Sequence, residues 1–189
     1  MAAHKKIAHH RRAWICFADE SGFSQIPAVR ATWAPRGHTP VLIHRFSRTK
    51  MSMAAALAYR PDRSRAVMVF ATKPGSYDTD TLIGFLTEVH RHLRGSVILI
   101  WDRPGAHRSA AMHTRLDRQH WPSVEEPPAY AYDLNPLETA WGNLKSVELA
   151  NLCPDTVDEA TTAAENGLTR IGNSYQLCYR FLDHTRLHL

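Results

Sequence analysis

The feature that most constrains this chain is the run VILIW, residues 97–101. Five successive apolar residues without polar alternation cannot keep one face in water, so the run reads as a strand buried on both faces. The segment before it is amphipathic. Asp78 is a candidate N-cap for a helix of about 15 residues. Leu82, Leu86, Val89 and Leu93 share one face of that helix, and Gly95 ends it. Upstream, WICFA (14–18), KMSMAAALAY (50–59) and RAVMVFAT (65–72) read as strands, and WICFA is expected to end at Asp19. Within the loop-like stretch 24–45, VLIH (41–44) is a further strand candidate. Downstream, HRSAAMHTRLDRQHW reads as a helix, and a short strand around Val124 is cut off by Pro127 and Pro128. Helices follow over 136–149 and 156–171, with another in the last 15 residues. Strands on short turns, then alternation of helix and strand, imply an α/β fold with a mixed sheet and helices on its faces.

Composition narrows the classes. No apolar run approaches the roughly 18 residues of a membrane span, and the opening MAAHKKIAHHRRA has no apolar signal core. Residues 1–13 are expected to be a basic tail and 14–189 a single domain. Cys16, Cys153 and Cys178 are far apart, which fits reduced thiols in a cytoplasm better than a disulfide frame or a zinc site. The charge is uneven. Residues 1–119 carry 19 Lys and Arg against eight Asp and Glu, whereas residues 120–189 carry four against ten. No acid lies between Glu20 and Asp62, a span that holds Arg45, Arg48 and Lys50. A basic face toward a polyanion such as DNA explains this, and solvated surface arginines explain it too.

Three carboxylates end or begin core elements. Asp19 follows the first strand, and Asp102 follows VILIW at the carboxyl end of a buried strand, where open α/β sheets bind ligands. Glu138 lies in the first turn of the helix begun by DLNPLETAWGNLK, 133–145. Each has a bland alternative. The two aspartates can cap turns, and Glu138 can close a capping box onto the backbone of Asn135. Together they suit phosphate chemistry. Mg²⁺ takes oxygen ligands and is typically held by one or two carboxylates. Two ions about 4 Å apart stabilise both oxygens of an in-line displacement. Asp19 would bridge the pair, with Asp102 on one ion and Glu138 on the other.

Three blocks, FADESGF (17–23), ILIWDRPGAHRS (98–109) and YDLNPLETAWGNLK (132–145), resemble the signatures of DDE transposases, most of all the bacterial insertion-sequence branch of the mariner superfamily. The resemblance covers Trp14 to Cys153. It implies a ribonuclease-H-like fold with helices on both faces of the sheet, and a site of two Mg²⁺ (or Mn²⁺) ions. Asp19, Asp102 and Glu138 become the catalytic triad. It also implies DNA partners, the element ends and a target, and a homodimer in the active complex. His107 matches the second block. Lys145, two turns along the helix from Glu138, is a candidate phosphate contact. Trp141, Leu144 and Leu137 share another face and read as core. Tyr132 stands where relatives usually have Pro, and Glu126 where they usually have an apolar residue. Relatives carry helix-turn-helix modules ahead of this domain, so the chain reads as a catalytic half. The rival reading is a non-catalytic remnant that binds DNA or inhibits an intact transposase.

Overall fold

The computed structural model describes residues 13–45, 49–101, 121–127 and 132–187, with Met112, Thr114, Leu116 and Gln119 placed separately. A five-stranded sheet forms the centre: β1 (Trp14–Ser24), β2 (Lys50–Tyr59), β3 (Ala66–Pro74), β4 (Val97–Trp101) and β5 (Pro122–Glu125), in the order β3-β2-β1-β4-β5. The β1–β2 and β2–β3 pairs are antiparallel, and β1–β4 and β4–β5 are parallel. The sheet is mixed, as expected.

Helix α1 (Thr79–Leu93) supplies the crossover from β3 to β4. Asp78 caps it in a reciprocal box with Thr81, and its buried stripe is Leu82, Phe85, Leu86, Val89 and Leu93. The chain turns out of it through Arg94 and Gly95, both at positive φ (43° and 101°), a backbone that glycine adopts without a steric penalty. Three helices follow β5: α2 (Pro136–Val147), α3 (Val157–Gly172) and α4 (Tyr175–His184).

Strand alternation sorts the core into two layers. Trp14, Cys16, Ala18, Val97, Leu99 and Trp101 face α1. Ile15, Phe17, Ile98 and the strand residues Met53, Ala55 and Leu57 face α2, α3 and α4. Helices therefore cover both faces, and β1 and β4 between them are buried on both sides. The fully buried rings and branched chains of these layers each contribute roughly 1.5–3 kcal/mol through loss of apolar surface to water. Among the described residues no helix is long and apolar enough to cross a membrane.

Three expectations need correction. WICFA does not end at Asp19: β1 runs on to Ser24, because β2 is long enough to pair it throughout, from Ile15↔Tyr59 to Ser24↔Lys50. VLIH forms no strand. Val41 and Ile43 are 80% and 86% exposed, and among the described residues no strand covers them. Ala13, assigned to the tail, is buried in the α2-side core. The expected helix after VILIW lies mostly outside the described residues.

Helices α2 and α3 touch where Gly167 has no side chain. A methyl there would overlap Leu144 Cδ1 and stand 2.7 Å from the Glu148 carboxylate. Leu144 is fully buried, and Arg170 pins Glu148. Gly167→Ala is therefore expected to destabilise the fold by about 1–3 kcal/mol through overpacking. Helix propensity alone would favour alanine by roughly 1 kcal/mol. Urea unfolding of the two proteins decides the sign.

Candidate active site

Asp19 sits inside β1, one residue past the last β1–β4 pair, Ala18↔Trp101. By alternation it faces the α2 side with Ile15 and Phe17, and its partner across β2 is the small, buried Ala55. Ser21 and Phe23 continue the same face.

Helix α2 crosses that face. Its start is set by Asn135, whose side chain accepts the Leu137 N–H at 3.0 Å, and by Pro136 at the first helical position. The capping-box alternative fails. The Glu138 N–H donates to the Asn135 carbonyl at 3.1 Å, but among the described residues the Glu138 side chain makes no return bond to the Asn135 N–H. Glu138 is exposed instead and lines an open groove with Asp133, Thr139, Gly142, Asn143 and His184.

Two hydrogen bonds tie β1 to α2. The indole Nε1–H of Trp141 donates to Asp19 Oδ2 at 2.9 Å, and Lys145 Nζ donates to Ser21 Oγ at 2.8 Å. Positions 19 and 21 are two apart on a strand, and 141 and 145 are four apart on a helix. Both spacings are about 6–7 Å, so the two rungs fit together. Trp141, expected in the core, is there with 3% exposure, and it also contacts the candidate site. A cue was present in the sequence, since a buried indole N–H usually finds an acceptor.

The electrostatics are those of an uncompensated acid. Burial pushes the Asp19 carboxyl up to about 6 from 3.8, against the opposing Trp141 bond and the Glu20 backbone N–H, and the charges of Glu138 and Glu20 push it further up. Asp19 and Glu138 are thus close enough for their charges to oppose each other. A half-buried carboxylate raised chiefly by burial, with a second acid beside it, would be stabilised in its charged form by a cation. Among the described residues no three His, Cys, Asp or Glu side chains form a cluster. Asp102, the third expected acid, lies outside the described residues, as do His107 and Arg48.

Three of the other expected DNA contacts, Arg45, Lys50 and Lys145, lie within the described residues. Arg45 pairs with Asp155 at 3.2 Å, with both side chains about three-quarters exposed. Such a pair contributes at most about 1 kcal/mol and leaves the guanidinium in solvent. Lys50 is exposed at the start of β2, opposite Ser24. Lys145 is half-buried on its Ser21 rung. Two other arginines are occupied structurally: Arg60 stacks over Trp14, and Arg63 lies over Tyr179 and pairs with Asp183.

The family model described as DDE superfamily endonuclease matches residues 14–159. No curated protein sequence matches the chain. Solved structures share its fold. The Mos1 strand transfer complex superposes with a TM-score of 0.68 at 15% identity, over 97% of this chain and 54% of that one. The Mos1 mariner paired end complex with Mn gives 0.66 at 16%, over 98% and 58%. The catalytic domain of Mos1 mariner transposase gives 0.62 at 15%, over 98% and 84%. The chain thus spans little more than half the length of the Mos1 chains in the two complexes. The shared architecture is the ribonuclease-H-like fold.

The Asp19 shift fixes the sign of a pH effect. The folded carboxyl binds its proton more tightly than the unfolded one, so it lowers metal-free stability above about pH 6. That cost fades as pH falls through 6 and is gone below about 4. Asp19→Asn is therefore expected to raise metal-free stability at pH 7 by about 1–3 kcal/mol, with no gain near pH 4. Denaturant unfolding in chelator at both pH values measures this.

Proposed function

The chain belongs to the DDE superfamily endonucleases, and from that premise we propose that it is a transposase catalytic domain that cuts DNA at element ends and joins them to a target. The observation that carries the proposal is the pairing of Asp19, held on a core strand, with Glu138 on the helix bonded to that strand. Asp102, the third acid of this reading, lies outside the described residues; in the chain it directly follows Trp101, whose β1 partner Ala18 directly precedes Asp19.

On this reading Asp19, Asp102 and Glu138 hold two divalent cations, Mg²⁺ or Mn²⁺. When bound, the ions supply Lewis-acid stabilisation of the attacking and leaving oxygens. The chain's residues do the rest. Asp19 is fixed by the Trp141 N–H, and Glu138 reaches in from an exposed helical turn. The buried layers under β1 and β4 hold both strand ends rigid. The substrate oxygens would follow an in-line path: water attacks phosphorus and displaces a 3′-oxygen, leaving a 3′-hydroxyl and a 5′-phosphate, and that hydroxyl then attacks a target phosphorus and displaces the target strand's own 3′-oxygen. Lys145 and Lys50 lie along β1 beyond Asp19, at its Ser21 and Ser24 positions. With Arg45, and with Arg48 and His107, they are assigned to the DNA backbone. The active assembly is assigned as a homodimer.

Two measurements test the reading. In a nicking assay with Mg²⁺ or Mn²⁺, Asp19→Asn, Asp102→Asn and Glu138→Gln should each lose on the order of 10³-fold in rate, several kcal/mol of charge stabilisation. DNA binding without nicking under either metal would favour the non-catalytic remnant. Binding should be weak and indifferent to end sequence. With about five phosphate contacts, affinity should fall on the order of 10²–10³ between about 50 and 200 mM salt. Neutralising Arg45, Arg48 and Lys50 should flatten that slope for every sequence alike. A tight, end-specific complex that survives high salt would contradict this assignment.

A further inference from the structure

We propose that Trp141 is a positioning residue of this site, whose indole N–H holds Oδ2 of Asp19 so that the carboxylate meets a divalent cation in one fixed orientation. The inference rests on the metal-site reading above and adds a residue to it.

Trp141 occupies an unusual seam. Its ring is buried in the layer that contains Leu137, Leu144 and Leu168, so packing fixes the ring in place. Its one polar atom points to Asp19 at 2.9 Å. Trp14 and Trp121 satisfy their indoles with neutral acceptors, the Leu93 carbonyl and the Gln119 amide. Trp141 uses a carboxylate 122 residues away in sequence. A free aspartate on a strand turns about two side-chain bonds. A donor locked by a core ring removes that freedom and leaves the second oxygen outside this bond. Trp141 is also three residues from Glu138 on α2, so the bond that orients one acid sets the helix carrying the other. The Lys145–Ser21 rung, one turn further on, keeps the helix in register with the strand.

Such outer partners of ligating carboxylates typically govern metal affinity by 10–100-fold. The test uses Mn²⁺ alone as probe, with thermal unfolding as the first readout and nicking as the second. Trp141→Phe keeps an aromatic ring and removes the N–H. The half-saturating Mn²⁺ for thermal stabilisation should rise about tenfold, and that for nicking should rise in parallel. The nicking rate at saturating Mn²⁺ should stay within about threefold, since the ligands themselves are intact. Leu168→Ala loosens the same core without touching Asp19, and its half-saturating Mn²⁺ should not move. If Trp141→Phe does not fold, 3-benzothienylalanine at position 141 keeps the bicyclic volume, replaces N–H by sulfur, and gives the same two readouts. An unchanged half-saturation in a folded variant overturns the inference, as does an equal loss in Leu168→Ala. A fall in saturated rate without any change in metal requirement overturns it too. If the unsubstituted chain gains no stability from Mn²⁺, it is the metal-site reading that fails.

Discussion

Everything in this fold hangs on the parallel pairing of β1 with β4. Both strands are apolar on both faces, and that forces helices onto each side of the sheet. The pairing ends at Ala18↔Trp101. Beyond that point, among the described residues, β1 continues paired with β2, on its other side. The polar residues of β1, Asp19 to Ser21, start where the doubly buried pairing stops. The site is thus the boundary between a dry sheet centre and its wet end. The same boundary explains why Asp19 is buried enough to resist ionisation yet still borders an exposed Glu138.

Much of this was legible in the chain. VILIW and KMSMAAALAY are the residues of β4 and β2, because an unbroken apolar run and a β-rich stretch before a turn leave little ambiguity. The Asp78 cap and its stripe of Leu and Val mark the start and approximate length of α1. The end of β1 was misplaced, since polar Asp19, Glu20 and Ser21 look like a loop when their partners, Ala55, Ala54 and Met53, lie 32 to 36 residues away. VLIH has the composition of a strand but no partner edge, and composition does not report partners.

The site was legible in part. Asp19 and Glu138 stand out in the sequence as acids at the ends of apolar elements, and in the structure their charges oppose each other. Glu138 carried a competing explanation in the capping box, which Asn135 made unnecessary by capping the helix alone. Trp141 was assigned to the core because hydrophobic periodicity counts a residue once, as in or out. A tryptophan can be both, with its ring in one environment and its N–H in another. Arg45, Arg48 and Lys50 were grouped by sequence proximity. Arg45 has an acidic neighbour from another part of the chain, Asp155, and no local pattern could reveal it.

The contrast between Asp19 and Glu138 has a kinetic side. Asp19 is immobilised by a buried ring, while Glu138 is an exposed side chain on the first turn of a helix. Exposed side chains change rotamer in picoseconds to nanoseconds, far faster than a helix or strand can shift. On the proposed reading a cation would meet one carboxylate whose orientation is set by a core ring and one exposed carboxylate that can adjust its rotamer, so the site would join a fixed point to a compliant one.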